Sequence, residues 1–174
     1  MIDACSSLAA SGSSFGCPMM TPAAAIDDRL RPAMEALVCT DHSPLRLAVQ
    51  TVPEPAPLAN EALVAVRAVS LNRGELRNLE TALPGWRPGW DLAGDVLARA
   101  ADGSGPPVGA RVVGLLRGGA WAERVAVPTH QLAALPDTVS YADAATLPVA
   151  GLTALTALAR RGSLLGQHVV ITGA

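Results

Sequence analysis

His168-Val169-Val170-Ile171-Thr172-Gly173-Ala174 closes the 174-residue chain. Val169 to Thr172 is a continuous apolar, β-branched run, the pattern of a strand buried on both faces in a parallel sheet covered by helices. A glycine straight after such a strand is how a dinucleotide-binding turn opens. Glycine lets the backbone approach a pyrophosphate, and the following helix directs its first amides at the charge. A glycine after a strand also occurs wherever a strand meets a turn; read with the segment before it, Gly173 and Ala174 are candidate cofactor-binding residues, and the chain is expected to end at the first strand of an incomplete nucleotide-binding domain.

Working back from that strand, Arg160-Arg161-Gly162 reads as a helix end, with basic residues in the last turn and glycine just past it. Leu147 to Leu158 has the apolar spacing of a buried helix. Ser140-Tyr141-Ala142-Asp143 is a capping box opening an earlier helix, expected to stop near Leu147 because Pro148 disfavours helical geometry in the residue before it. From Met34 to about Pro136 the pattern changes to short strands separated by turn residues. Ala62 to Val69 is the longest, with Arg67 as its polar interruption. Gly103-Ser104-Gly105-Pro106-Pro107 is a strong turn signal, and Arg111 to Leu115 and Ala122 to Val127 flank the Gly118-Gly119 turn.

Several stretches together resemble the medium-chain dehydrogenase/reductase superfamily and, within it, the zinc-free quinone oxidoreductase branch. Glu35-Ala36-Leu37-Val38 is similar to the opening strand of that family. Glu61 to Asn72 is similar to its next stretch, which ends in an asparagine-containing turn. Gly89-Trp90-Asp91-Leu92-Ala93-Gly94-Asp95-Val96 fits G-x-D-x-A-G-x-V, while Val108 to Gly114 and Gly119-Ala120-Trp121-Ala122-Glu123 fit two later patterns. The resemblance covers roughly Met34 to Ala174. Ala110 departs from it, standing where relatives usually carry aspartate before Arg111.

The implied architecture is mainly β. Residues 34–147 are expected to form a partly open GroES-like β-barrel that serves as the substrate or catalytic domain. Residues 148–174 follow as helices and the first strand of a truncated Rossmann α/β domain. Residues 1–33, rich in Ser, Ala and Pro, are expected to be a disordered extension or translated sequence upstream of a start at Met34.

Composition narrows the function classes. Apolar residues make up 50% and aromatics 3%, so the core must be built mainly from Ala, Val and Leu. A formal net charge of −2 without a Lys/Arg-rich run is no footprint of a nucleic-acid binder. No stretch approaches the ~20 uninterrupted apolar residues of a spanning helix, and the start lacks the basic and apolar regions of a secretory signal. Cys5, Cys17 and Cys39 are too few and scattered for a disulfide framework. A cytoplasmic protein without membrane or nucleic-acid partners is the expectation.

Catalytic zinc needs three ligands from Cys, His, Asp or Glu. Zinc-dependent relatives place a cysteine near the end of the second strand and Gly-His-Glu at a later loop. Here those places hold Leu71-Asn72 and Gly89-Trp90-Asp91, so no zinc is expected. Asp91, as a lone carboxylate in a loop, reads as a turn or salt-bridge residue. What the resemblance implies instead is hydride transfer from NADPH to a small quinone or enone, a reaction in which the protein mainly orients donor and acceptor. NADH stays open, because the ribose-discriminating residue lies roughly 20 residues or more beyond the first glycine.

By resemblance Asn72 stands near the nicotinamide, although a turn asparagine bonding its own backbone reads the same way. Thr153 matches a threonine at the nicotinamide end, against the alternative of a helix threonine bonding back to a carbonyl. Arg77 and Trp121 are the candidates for the substrate pocket. Surface exposure for Arg77 and core packing for Trp121 are the competing readings. A homodimeric full-length parent, a non-catalytic β-barrel binding module, and a reductase domain cut from a multienzyme also stay open.

Overall fold

The computed structural model describes residues 32–172. The expected extension therefore lies outside the described residues except for Pro32 and Ala33, as do Cys5, Cys17 and the pair Gly173-Ala174. Ala33 opens the first strand, β1 (Ala33–Cys39), which pairs antiparallel with β2 (Leu47–Pro53). Met34, Ala36 and Val38 on β1 are buried at every second position, the period of a strand with one face against a core.

A five-stranded antiparallel sheet forms the body. It consists of β3 (Glu61–Val69), β4 (Asp91–Ala98), β5 (Arg111–Leu115), β6 (Arg124–Pro128) and β7 (Leu132–Ala134), in the spatial order β6-β3-β4-β5-β7. The strands do not close on themselves, in keeping with the partly open barrel expected from the sequence. An isolated bridge between Ala36 and Ala122, flanked by Leu37 N–H to Trp121 O at 2.9 Å, ties β1 to the run before β6. Ala62, Val64, Leu92, Val96, Val112, Ala120, Val125 and Val127 fill the core, the small aliphatic set that composition required.

Both glycines of the Gly89 to Val96 pattern have a steric reason. Gly89 has φ +107°, and a Cβ there would sit 2.4 Å from the Trp121 nitrogen. A Cβ on Gly94 would stand 2.0 Å from the Ala65 carbonyl oxygen, because β3 passes unusually close where its register with β4 shifts between Val66 and Ala68. Arg67 occupies that irregularity, and its Nε reaches Asp95 Oδ2 of β4 at 2.8 Å.

Helix α1 (Arg73–Thr81) follows β3 directly; the strand pattern gave no warning of it. Helix α2 (Tyr141–Ala145) opens as expected, with Ser140 Oγ accepting from Asp143 N–H at 3.0 Å. Ala144 and Ala145 bury against Ala93 and Leu135. Helix α2 ends at Ala145, close to the expected stop before Pro148, and the second helix follows from Leu147. A wide π turn over Leu147–Gly151 absorbs the missing proline donor, and α3 (Leu152–Arg160) continues from it.

Two expectations for this end of the chain differ from the structure. No residue of α3 is buried, where a buried helix was read. The run Val169 to Thr172 forms no strand, and Val170 and Ile171 are 86% and 70% exposed. A strand buried on both faces obtains its hydrogen bonds and its cover from neighbouring strands and helices. None among the described residues supplies them.

Candidate functional site

The corner where β3 hands over to α1 concentrates the polar groups of the barrel. Asn72 is the N-cap of α1, with φ −109° and ψ 143°, and Glu75 three residues later completes a capping box. Glu75 is fully buried: its Oε2 accepts from Asn72 N–H and its Oε1 from Trp90 N–H, each at 2.6 Å. Burial pushes the Glu75 carboxyl above the usual range, and the two backbone donors act in the opposite direction. Gly74 is needed where the Trp90 ring lies on the helix, since a Cβ there would be 2.4 Å from the ring.

Asp91, also fully buried, is the second centre. Its Oδ2 accepts from Asn72 Nδ2 at 2.8 Å and from Ser70 Oγ, and its Oδ1 accepts from Val149 N–H at 3.0 Å. Val149 belongs to the π turn, so one carboxylate joins the end of β3, the start of α1 and the helical arm. Trp121 Nε1 donates to Ser70 O at 3.2 Å, linking the indole to the same corner. Asp91 is thus the hub of the site and no simple turn residue. Its importance was invisible in sequence because its three donors lie 19, 21 and 58 positions away.

The candidates from the sequence are placed as follows. Asn72 is half-buried, with its amide nitrogen committed to Asp91. Trp121 is 6% exposed, and its remaining edge joins Leu37, Val66, Val69 and Leu71 along an apolar cleft. Thr153 is exposed on α3, one turn beyond Val149, in a groove with Leu115, Pro148, Val149, Leu152 and Arg160. Arg77 is exposed on α1, its side chain without a hydrogen bond or ion pair among the described residues, and it lines neither of these clefts. Asn72 and Trp121 are therefore joined through Ser70, Thr153 neighbours them through Val149, and Arg77 stands apart. The signal that could have located this corner was the Asn72-x-x-Glu75 spacing, a capping box that also marks the start of α1.

A second polar network staples α2 to the sheet. Asp95 accepts from Arg67 and from the Tyr141 hydroxyl, and both hold its carboxyl below the usual range, Tyr141 most strongly. The Arg111 guanidinium lies 4.5 Å over the Tyr141 ring and donates to the carbonyls of Pro136 and Val139. Among the described residues no group of three or more His, Cys, Asp or Glu could hold a metal ion. No helix among them is long and apolar enough to cross a membrane.

Residues 58–137 match the alcohol dehydrogenase GroES-like domain. The synaptic vesicle membrane protein VAT-1 homolog of Rattus norvegicus is 32% identical over 148 residues, covering 80% of this chain and 37% of that protein. A trans-enoyl reductase of Penicillium oxalicum is 38% identical over 112 residues, 58% of this chain and 30% of its own length. The quinone oxidoreductase of Coxiella burnetii superposes with a TM-score of 0.66 at 28% identity, over 74% of this chain and 45% of that one. A mycobacterial protein solved with NADPH superposes with a TM-score of 0.63 at 29% identity, over 72% of this chain and 40% of that one. The chain spans less than half the length of each.

Proposed function

The chain belongs to the medium-chain dehydrogenase/reductase superfamily, and from that premise we propose that it is the substrate-side domain of an oxidoreductase that passes hydride from NADPH to a quinone or an α,β-unsaturated carbonyl without zinc. The observation that carries this reading is the Asn72–Asp91 corner. Its carboxylate is saturated by three donors, from Ser70, Asn72 and Val149, and its flanking positions hold Leu71 and Trp90. A donor set of that kind suits orientation of a neutral organic group better than ligation of a metal. Relatives described as a quinone oxidoreductase and a trans-enoyl reductase support the acceptor class, and a neighbour solved with NADPH supports the cofactor.

The residues present fit the nicotinamide end of such a cofactor. The groove along the π turn and α3 gives an apolar wall of Leu115, Pro148, Val149 and Leu152, with the Thr153 hydroxyl at one side. When bound, the cofactor supplies the hydride, and the protein needs no nucleophile of its own. Asn72 holds a fixed amide plane at the corner, because its Nδ2 is tethered to Asp91. Trp121 and its apolar neighbours exclude water on the barrel side.

The test is turnover by a polypeptide carrying this domain together with a complete nucleotide-binding domain. It should oxidise NADPH with 1,4-benzoquinone or a simple enone, keep that activity after chelation, and lose it in large part in Asn72→Ala. Activity that chelation abolishes and zinc restores would overturn the reading, as would no turnover with either acceptor class.

A further inference from the structure

Away from the Asn72 corner, the turn before β4 and the glycine turn before β6 enclose a second cleft of about 350 Å³, lined by Pro55, Trp86, Arg87, Leu116, Gly118 and Val125 among others. None of its lining residues belongs to the Asn72–Asp91 cluster. Arg87 is partly buried in its wall yet has no carboxylate within ion-pair distance among the described residues. Among the described residues its Nε is buried without a hydrogen-bond partner, and its one side-chain bond, from Nη2 to Gly119 O, is long at 3.4 Å. Burial alone acts on the guanidinium, drawing its pKa down with no anionic group opposing.

The contrast with the other arginines held against the fold is informative. Arg46, Arg67, Arg111 and Arg124 each have a carboxylate, on Asp41, Asp95, Asp137 and Glu54 respectively. Glu54 adjoins Pro55 at the cleft, but it is engaged by Arg124 Nε at 2.5 Å. A desolvated guanidinium with most of its five donors unused is costly unless an acceptor joins it. Trp86, Leu116 and Val125 also line the cleft. Gly118 packs closely against the Trp86–Arg87 turn, since a Cβ there would be 3.0 Å from Arg87 O and 3.9 Å from Trp86 Nε1.

We infer that this cleft is a binding site for a small organic oxyanion, its carboxylate or phosphate taken by the fork of Arg87 and its apolar or aromatic body lying on Trp86, Leu116 and Val125. The planar fork matches two oxygens of either group, so the shared chemistry is a bidentate oxyanion beside an apolar ring.

Benzoate and phenyl phosphate, titrated at constant ionic strength into the ¹⁵N-labelled full chain, test it. Saturable shifts should appear at the Trp86 indole N–H and at the Gly118 and Gly119 amides. Binding should weaken at least tenfold in Arg87→Leu. The tighter of the two probes identifies whether a carboxylate or a phosphate ester is the natural source. Where amide dispersion shows that Arg87→Leu does not fold, Arg87→Lys, which keeps the charge and loses the fork, should still bind several-fold more weakly. Shifts that do not saturate with either probe, or an affinity unchanged in the folded variant, would overturn the inference.

Discussion

Asn72 and Asp91, 19 positions apart, meet at 2.8 Å between Nδ2 and Oδ2, while the other oxygen of the same carboxylate holds the Val149 amide at 3.0 Å. One buried side chain therefore sets the plane of the candidate nicotinamide-side amide and anchors the helical arm that carries Thr153. The barrel and the arm share a frame at this point.

Asp91→Asn exchanges one acceptor oxygen for a donor, which must then face either the Asn72 amide or the Val149 N–H. Leaving a buried donor unpaired costs about 1–3 kcal/mol, and that loss is expected in urea unfolding. Asn72→Ala removes only one of the three donors and should cost less. Equal losses in the two variants would remove Asp91 from its place as hub.

Glu75→Gln creates the same conflict, since both carboxylate oxygens accept backbone N–H groups at 2.6 Å. The pH dependence is the separate signature. Burial raises the folded-state pKa of Glu75, so its favourable contribution is complete below the unfolded value of about 4.3 and diminishes as pH rises through the raised folded value. The stability gap between wild type and Glu75→Gln should accordingly narrow from pH ~4 upward and then level off. A gap that widens over that range would contradict it.

Asp95 has the opposite sign. Its folded-state pKa is depressed by Tyr141 first and then by Arg67, so the stability it contributes is present above about 3.9 and is lost as pH falls through the lower folded value. Tyr141→Phe keeps the ring under Arg111 and deletes the hydroxyl donor. A loss of about 1 kcal/mol at neutral pH and an acid-unfolding midpoint moved to higher pH are expected. Circular dichroism across an acid titration measures both.

The 174-residue chain by itself should not bind NADPH at micromolar concentration. Such affinity needs roughly 8 kcal/mol, whereas two hydrogen bonds from Asn72 and Thr153 supply a net ~0.5–1.5 kcal/mol each. Calorimetry detecting micromolar binding would mean that the cofactor meets this chain elsewhere.

Much of the barrel was legible in the sequence because strands announce themselves locally. Val112 and Val125 recur in period-two patterns bounded by glycine turns, and those patterns became β5 and β6 at nearly the expected residues. Gly89 and Gly94 were readable as pattern members, and the close passages at Trp121 and Ala65 supply the physical reason for them. Helix α1 was missed although its capping box was present, because Asn72 and Gly74 are turn formers too and the stretch after the strand reads equally as an asparagine-containing turn.

By itself, then, the sequence determined the small aliphatic core, the strands β5 and β6, the capped start of α2 and the family pattern, since each depends on neighbours within a few residues. Tertiary structure alone decided which polar groups meet. It made Asp91 a hub by bringing Ser70, Asn72 and Val149 to one carboxylate, left Arg87 without an acid among the described residues, and widened the first turn after Leu147 into a π turn. The run Val169 to Thr172 marks the same division: its β-branched composition favours a strand, but a strand acquires its hydrogen bonds only from partners that other parts of a fold must bring alongside.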